Sequence, residues 1–97
     1  MHVVYVIFSP SLDRYYVGEA EDLGMRLSQH NDHHYKGSFT VRASDWEVRT
    51  SLSCRDRSHA RLVEAYIKRQ RKRSFIERLI AEAGLREWLL AHCEKPQ

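Results

Sequence analysis

The stretch that decides the fold is "YYVGEAEDLGMRLSQH", residues 15–30, in which a strand-like run gives way to a helical one. Its first residues are aromatic or β-branched, which favours a strand, and Gly18 closes that run. Beyond Asp22, a suitable N-cap, two leucines stand four residues apart, as on the buried stripe of a helix. The stretch therefore predicts a strand over 14–18 and then a helix from 23 to about 31.

Three polar side chains of this stretch, Tyr16, Arg26 and His30, are candidates for one site. At 100° per residue, Arg26 and His30 lie about 40° apart on the helix and beside its leucine stripe. They are predicted to border the core without entering it. Tyr16 comes from the strand that leads into the helix, so all three side chains can reach a common cleft.

A second strand-like run precedes this stretch. "HVVYVIF", residues 2–8, is apolar on both faces, which is typical of a strand buried on two sides, and we predict that it is central. "SPSLDR" favours a turn, so strands 3–8 and 14–18 should form an antiparallel hairpin. A third strand, 46–52, alternates strictly and should have one solvent-exposed face. Its inward residues would be Trp46, Val48, Thr50 and Leu52.

Most of the remaining chain has helical periodicity. One helix is predicted from about Ser58, and a short one over 74–84 with Gly84 as its stop signal. The buried stripe of the first would be Ala60, Val63, Tyr66, Ile67 and Gln70. A last helix over about 84–93 should pack Leu85, Trp88 and Leu89. Residues 31–44 lack a period and predict a loop, so the fold class is α/β, more closely α+β.

Length and composition suit one compact domain over residues 1–97, with 42% hydrophobic residues for a modest core. The apolar run near the start is too short for an export signal, and no segment is long enough to anchor in a membrane. Cys54 and Cys93 show no metal-binding or disulfide spacing. We therefore expect a cytoplasmic protein with two reduced thiols.

Positive charge is concentrated in one segment. The net charge of the chain is +3, but residues 55–73 alone carry eight Lys or Arg against two acids. The densest part contributes Lys68, Arg69, Arg71, Lys72 and Arg73. Such a cluster attracts a nucleic acid, because each neutralised phosphate releases counterions. The alternative is a solvated helix face with no partner.

Phosphodiester hydrolysis needs a base for water, a cation for the developing charge and an oxygen ligand for a divalent metal. Tyrosine, arginine and glutamate supply these parts, and Tyr5 and Glu64 join the three side chains above as candidates. Each also has an ordinary explanation. The tyrosines could pack the sheet, Arg26 could be a surface charge, His30 could complement a helix C-terminus, and Glu64 could pair with a lysine four residues on. Composition and period alone leave the function open.

The spacing of these residues resembles that of the GIY-YIG nuclease family. The resemblance is carried by "VVY" at 3–5, "YVG" at 16–18, the arginine and histidine of the helix, "EAYIK" at 64–68 and "GSFT…DWEV" between them. It covers roughly residues 2–80, leaving the helix over about 84–93 outside. It implies a three-stranded antiparallel sheet flanked by helices, and a metal-dependent nuclease centre.

The resemblance also implies roles for individual residues. Tyr5 and Tyr16 fall on the two motif tyrosines, one of which would act as, or orient, the base. Arg26 would stabilise the transition-state charge of the scissile phosphate, and His30 would orient the nucleophile or a phosphate oxygen. Glu64 would be the sole protein ligand of one Mg²⁺ or Mn²⁺ ion. A single carboxylate suits Mg²⁺, which keeps much of its hydration shell.

Other positions either fit or depart from the family pattern. Gly18 would allow the backbone to approach closely at the cleft. Val3 and Val4 replace the first residues of the "GIY" motif. Glu19 stands where the repair nucleases have a lysine that assists the base, and a carboxylate there repels a phosphate.

Two hypotheses follow. The first is a metal-dependent endonuclease that hydrolyses DNA phosphodiester bonds in a structure-specific role in repair or recombination. Its partner is a nucleic acid, with DNA favoured over RNA and the choice between them left open by the sequence. The second is a nucleic-acid binding module with weak or no catalysis, which Glu19 favours. A protein-interaction domain is a third reading, and monomer and homodimer both stay open. A metal cluster of His30, His33 and His34 is not favoured over a solvated loop.

Overall fold

The hairpin around the opening stretch becomes the first two strands of a sheet. A computed structural model describes residues 2–33 and 39–94. Its strands are β1 (His2–Ser9), β2 (Arg14–Ala20) and β3 (Glu47–Cys54), and its helices are α1 (Leu23–Asn31), α2 (Arg57–Gln70), α3 (Arg73–Ala81) and α4 (Ala83–His92), with a 3₁₀ turn at Phe39–Arg42. The predicted α+β fold, a three-stranded antiparallel sheet flanked by helices, is confirmed.

β1 is the central strand, as its two-sided apolar pattern predicts. The strand order is β2-β1-β3, and both neighbours pair with β1 in antiparallel fashion. Tyr5 lies opposite Gly18, and Ile7 lies opposite Tyr16. The side chains from Val4 to Ile7 are at most 1% exposed, so both faces of the strand are covered. β2 is left as an edge strand.

Two apolar clusters cover the two faces of the sheet. On one face, Leu23 and Leu27 of α1 pack beside a cluster that contains Tyr5 and Trp46. On the other face, α2, α3 and α4 build a larger cluster with the sheet. It consists of Val4, Val6, Val17, Leu52, Cys54, Ala60, Val63, Ile67, Leu79, Leu89 and Cys93. Of the predicted stripe of α2, Ala60, Val63 and Ile67 are buried, while Tyr66 and Gln70 are half-buried. The two cysteines are unpaired and buried.

The predicted single inward face of β3 is wrong. Val6 pairs with Thr50, but the next residue of β1, Ile7, pairs with Val48. Arg49 is therefore an extra residue, a β-bulge, and a bulge reverses the alternation beyond it. As a result Trp46 packs on the α1 side, Leu52 packs on the α2 side, and Val48 is 39% exposed.

Aspartate caps begin the two helices that carry candidate residues. Asp22 accepts a hydrogen bond of 3.0 Å from the Met25 amide, which confirms the predicted start of α1. Asp56 accepts one of 2.8 Å from the His59 amide at the start of α2, which begins at Arg57, one residue before the predicted start. Such caps satisfy amides that have no partner within the helix.

The prediction that Gly84 ends a helix is wrong. α3 ends at Ala81, and Glu82 is extended, with φ −118° and ψ 104°. The Arg86 guanidinium of α4 donates hydrogen bonds to two carbonyl groups of the last turn of α3. Because this side chain already caps α3, no glycine cap is needed, and Gly84 lies in the first turn of α4.

α4 packs by Leu89 and not by Trp88. Leu89 is fully buried, whereas Trp88 is 48% exposed, so the prediction that Trp88 packs inward is wrong. Its ring stacks on His92 at 4.6 Å between centroids and meets the edge of Tyr66 at 6.0 Å. In the described part of the chain, no helix combines the length and apolar character needed to cross a bilayer.

Candidate active site

One cleft of about 250 Å³ lies beside the edge strand β2. Its lining residues are Tyr5, Tyr16, Gly18, Glu19, Arg26, His30 and Glu64. All five predicted catalytic and metal-binding side chains therefore meet in one place. The tyrosines belong to the face covered by α1, while Glu64 comes from α2 on the other face. The cleft lies where residues of the two layers meet at the edge of the sheet.

Tyr5 is held by Gly18, its partner across the hairpin. The tyrosine is 1% exposed. A Cβ atom on residue 18 would lie 2.5 Å from the Tyr5 hydroxyl oxygen and 2.7 Å from Cζ, which is closer than van der Waals contact allows. The glycine thus makes room for the tyrosine side chain, in addition to the close backbone approach that the sequence predicts.

His30 joins Tyr5 to a residue that the sequence analysis did not single out. The Tyr5 hydroxyl lies 2.9 Å from His30 Nε2, and His30 Nδ1 lies 2.8 Å from Thr40 Oγ1. Thr40 is 1% exposed, and its carbonyl accepts a hydrogen bond of 2.9 Å from Trp46 Nε1. Thr40 falls within the "GSFT" stretch, but nothing in its local pattern shows that it faces a histidine.

The imidazole of His30 is held in its neutral form. Burial lowers its pKa below 6.5, and the positive charge of Arg26 lowers it further. A neutral imidazole has one donor nitrogen and one acceptor nitrogen. Since both nitrogens face hydroxyl groups, His30 can donate to one and accept from the other.

Tyr16 and Arg26 complete the part of the cleft on the α1 side. The Tyr16 ring meets the edge of His30, with centroids 5.2 Å apart, and within the described residues its hydroxyl makes no hydrogen bond. Arg26 Nη1 donates a hydrogen bond of 3.3 Å to the carbonyl of Glu19. This contact holds the guanidinium against the mouth of the cleft.

Glu64 pairs with Lys68 and also faces the cleft. Its Oε2 lies 2.8 Å from Lys68 Nζ, so Glu64 forms the ion pair with a lysine four residues on. The same side chain also lines the cleft, as predicted for a metal ligand. The lysine side chain is 51% exposed, and exposed pairs of this kind contribute only about 0.3–0.5 kcal/mol. A divalent cation can therefore replace the ammonium. Among the described residues, no cluster of three or more His, Cys, Asp or Glu side chains is placed to hold a metal ion.

Glu19 is the second carboxylate of the cleft. Its Oε1 atom is buried and accepts no hydrogen bond from the described residues, although His2 Nε2 lies 3.3 Å away. From the sequence, a carboxylate at this position repels a phosphate unless it binds a metal or is protonated. The neighbouring histidine compensates it whenever that histidine is protonated.

The predicted basic residues separate into two groups. Lys68, Arg71, Lys72 and Arg73 line a second groove next to the cleft, whereas Arg69 does not. Arg73 already binds Asp13 at 2.8 Å and Glu77 at 3.0 Å.

Of the two histidines that follow α1, the structure describes His33. His33 Nε2 lies 2.9 Å from Ser44 Oγ and 3.0 Å from the Ala43 carbonyl, and His34 lies outside the described residues.

Comparison with known families settles the relationship of the chain. The family model described as the GIY-YIG catalytic domain matches residues 1–78 of the 97. The chain belongs to the GIY-YIG family. No curated protein and no solved structure matches it. A GIY-YIG catalytic domain indicates a nuclease that binds nucleic acid, and the GIY-YIG fold agrees with the observed sheet and helices.

Proposed function

We propose that this GIY-YIG protein is a divalent-metal-dependent endonuclease that hydrolyses DNA phosphodiester bonds and selects its substrate by structure, in repair or recombination. The observation that carries the proposal is the convergence of five side chains in one cleft of about 250 Å³. They are Tyr5, Tyr16, Arg26, His30 and Glu64. They come from both layers of the fold, so packing within one layer does not explain their meeting.

The donor set of the cleft fits a hard cation such as Mg²⁺. Glu64 offers carboxylate oxygens, is 21% exposed, and among the described residues its ion pair is with an exposed lysine. Mg²⁺ keeps several waters and binds through one or two carboxylates plus phosphate oxygens, so a single glutamate suffices. When bound, the ion would act as a Lewis acid on the phosphate oxygens.

Tyr5 and His30 would supply the base. With the His30 proton on Nδ1, Thr40 Oγ1 accepts a hydrogen bond and Nε2 accepts one from the Tyr5 hydroxyl. The Tyr5 oxygen takes a proton from the attacking water as its own proton passes to Nε2. Because its pKa is lowered, His30 is neutral and ready to accept at neutral pH.

Arg26 and Tyr16 would act on the phosphate. The guanidinium of Arg26 at the mouth of the cleft stabilises the extra negative charge that develops as the water oxygen attacks phosphorus. Tyr16 presents its hydroxyl to the same space and orients the water or a phosphate oxygen. Lys68 Nζ, 5.7 Å from the centroid of the Tyr16 ring, would add a second positive charge beside that ring.

A nucleic-acid binding module with weak or no catalysis is the second candidate. The observation that favours it is the buried, hydrogen-bond-deficient Oε1 of Glu19 within the cleft. A carboxylate there opposes the approach of a phosphate unless His2, 3.3 Å away, is protonated or a cation binds.

Cleavage of a panel of labelled substrates tests the two candidates. The panel contains linear duplex, nicked, flapped and four-way DNA and single-stranded RNA, each with Mg²⁺ or Mn²⁺. The wild-type chain should cut DNA, and Arg26→Ala and Glu64→Gln should each slow the rate at least about 100-fold. EDTA should abolish cutting.

Glu87→Gln is the matched control, because this exposed glutamate on α4 does not line the cleft. It should cut like the wild type and so exclude a contaminating nuclease. No cutting of any substrate, together with salt-dependent binding, would identify the binding module and make Glu19→Lys the next variant.

A further inference from the structure

A second groove, of about 410 Å³, adjoins the cleft. We call it the side groove. It lies between the edge strand β2 and the turn that joins α2 to α3. Tyr16 lines both spaces, and Lys68 of the side groove is paired with Glu64 of the cleft. The two spaces therefore adjoin at Tyr16 and at the Lys68–Glu64 pair, so a strand held in the cleft has the side groove beside it.

The side groove is positively charged. Arg14, Arg71 and Lys72 line it, and within residues 2–33 and 39–94 none of them makes an ion pair. Arg73 also lines it, but is held by the Asp13 side chain and backbone. Three exposed cations that make no ion pair with a described acidic residue, around one groove, suit a chain of phosphates.

The side groove also has an apolar wall, which a surface that contacts only phosphates does not need. Val17, Ile67 and Ile76 line it, together with the half-buried ring of Tyr15. The Arg73 guanidinium carbon lies 5.0 Å from the centroid of that ring. Aromatic rings and guanidinium planes are the surfaces on which unpaired bases stack. The groove volume falls within the range of about 300–1,000 Å³ of pockets that hold small organic ligands.

Arg71 is placed by an unusual backbone. Its φ is 52°, in the left-handed region that favours glycine or asparagine, at the point where α2 ends. This turn brings Arg71 and Lys72 to the edge of β2. This backbone conformation favours glycine, so an arginine at the position points to a role of its side chain in the side groove.

We propose that the side groove binds unpaired nucleotides that continue from the strand being cut, so that the substrate is DNA with a single-stranded flap or overhang at the scissile phosphate. This rests on the proposed nuclease function. A continuous duplex keeps its bases stacked inside and presents mainly phosphates, so the aromatic and apolar wall would face no base. An unpaired strand presents bases and phosphates together, which matches the two kinds of lining.

The test uses DNA binding without metal, so that it does not depend on cleavage. Two oligonucleotide substrates are compared, a blunt duplex and the same duplex with a short single-stranded flap. The flapped duplex carries the fluorescent base 2-aminopurine next to the junction, and the blunt duplex carries it next to its end. Binding is followed in EDTA. The wild type should bind the flapped DNA at least about tenfold more tightly than the blunt duplex, and 2-aminopurine fluorescence should fall as the base stacks.

The variant that tests the groove is Arg71→Asn with Lys72→Gln. Asparagine tolerates the left-handed backbone, so the variant should fold. The control is Arg55→Gln with Arg69→Gln, which removes the same charge from two exposed arginines outside the groove. The groove variant should lose about tenfold in affinity for flapped DNA and the quenching, while the control loses equally on both substrates.

Three results would overturn the proposal: equal affinity of the wild type for the two substrates, no change in 2-aminopurine fluorescence, or equal losses in the groove variant and the control. A cleavage assay distinguishes failure of the side-groove proposal from failure of the nuclease proposal. Selective flap binding without cutting in Mg²⁺ would support the side groove and refute the nuclease. Equal cutting of blunt and flapped DNA would support the nuclease and refute the side groove.

Discussion

Gly18 and Tyr5 show how one missing side chain shapes the site. Gly18→Ala would place a methyl group 2.5 Å from the Tyr5 hydroxyl, and Tyr5 cannot move away easily because it is 1% exposed. We expect a loss of about 1–3 kcal/mol in the free energy of unfolding, as in other overpacked cores. DNA cleavage should fall with it, since the Tyr5–His30 hydrogen bond is displaced. Urea denaturation and the cleavage assay measure the two effects.

Gly84→Ala is the control for this change. Nothing lies within 4 Å of the Cβ position at residue 84, which is in the first turn of α4. An alanine in a helix is favoured over a glycine by up to about 1 kcal/mol, so this variant should be as stable as the wild type or more so. Equal losses in both variants would contradict the assigned contact.

His30 gives stability a dependence on pH. Its folded pKa lies below 6.5, the value of the unfolded chain, so the unfolded chain binds a proton first as the pH falls. This contribution is complete above about pH 6.5 and declines between that pH and the lower folded pKa. His30→Gln should flatten the slope of the free energy of unfolding between about pH 7 and pH 5, measured by urea denaturation. The pKa values of Asp13 and Asp45 are also lowered, from 3.8, so their effects appear at more acidic pH. An unchanged slope would contradict this assignment.

The sequence predicts some residues of the cleft and not others for a physical reason. Arg26 and His30 share one helix, so their proximity follows from the helical period. Tyr5, Tyr16 and Glu64 come together only through tertiary packing, and here the family resemblance supplied what period could not. Thr40 had no such signal, because its partner His30 lies ten residues earlier in the chain and outside any shared helix or strand.

At the scale of elements, the strands and helices themselves follow from periodicity. The hairpin, α1 with its Asp22 cap and most of the buried stripe of α2 are confirmed. The errors lie where one side chain or one extra residue overrides a local rule. The bulge at Arg49 reverses the faces of β3, and Arg86 replaces the glycine cap expected after α3. Neither the bulge nor the Arg86 hydrogen bonds can be predicted from the residues of β3 or α3 alone.

At the scale of the whole molecule, α4 belongs to the core although the family match ends before it. The match covers residues 1–78, and α4 spans Ala83–His92. Leu89 is nevertheless fully buried within the larger cluster. Leu89→Ala should lower the free energy of unfolding by about 2–5 kcal/mol, a large part of the usual 5–15 kcal/mol. At low temperature the variant should still cut DNA, because Leu89 does not line the cleft.

Leu62→Ala is the matched control for that change. Leu62 is 40% exposed on α2, so its loss should cost less than about 1 kcal/mol. Urea denaturation of both variants measures the difference. If the two losses were equal, α4 would be an appendage and not part of the core.

The position of the cleft between two layers has a consequence for the chain during its synthesis. Residues up to His30 provide the tyrosines, the arginine and the histidine, but the carboxylate arrives only with α2. A nascent chain that has formed only the hairpin and α1 therefore carries an incomplete site. If the chain is the nuclease that we propose, it is harmless to DNA until α2 has left the ribosome and docked on β2.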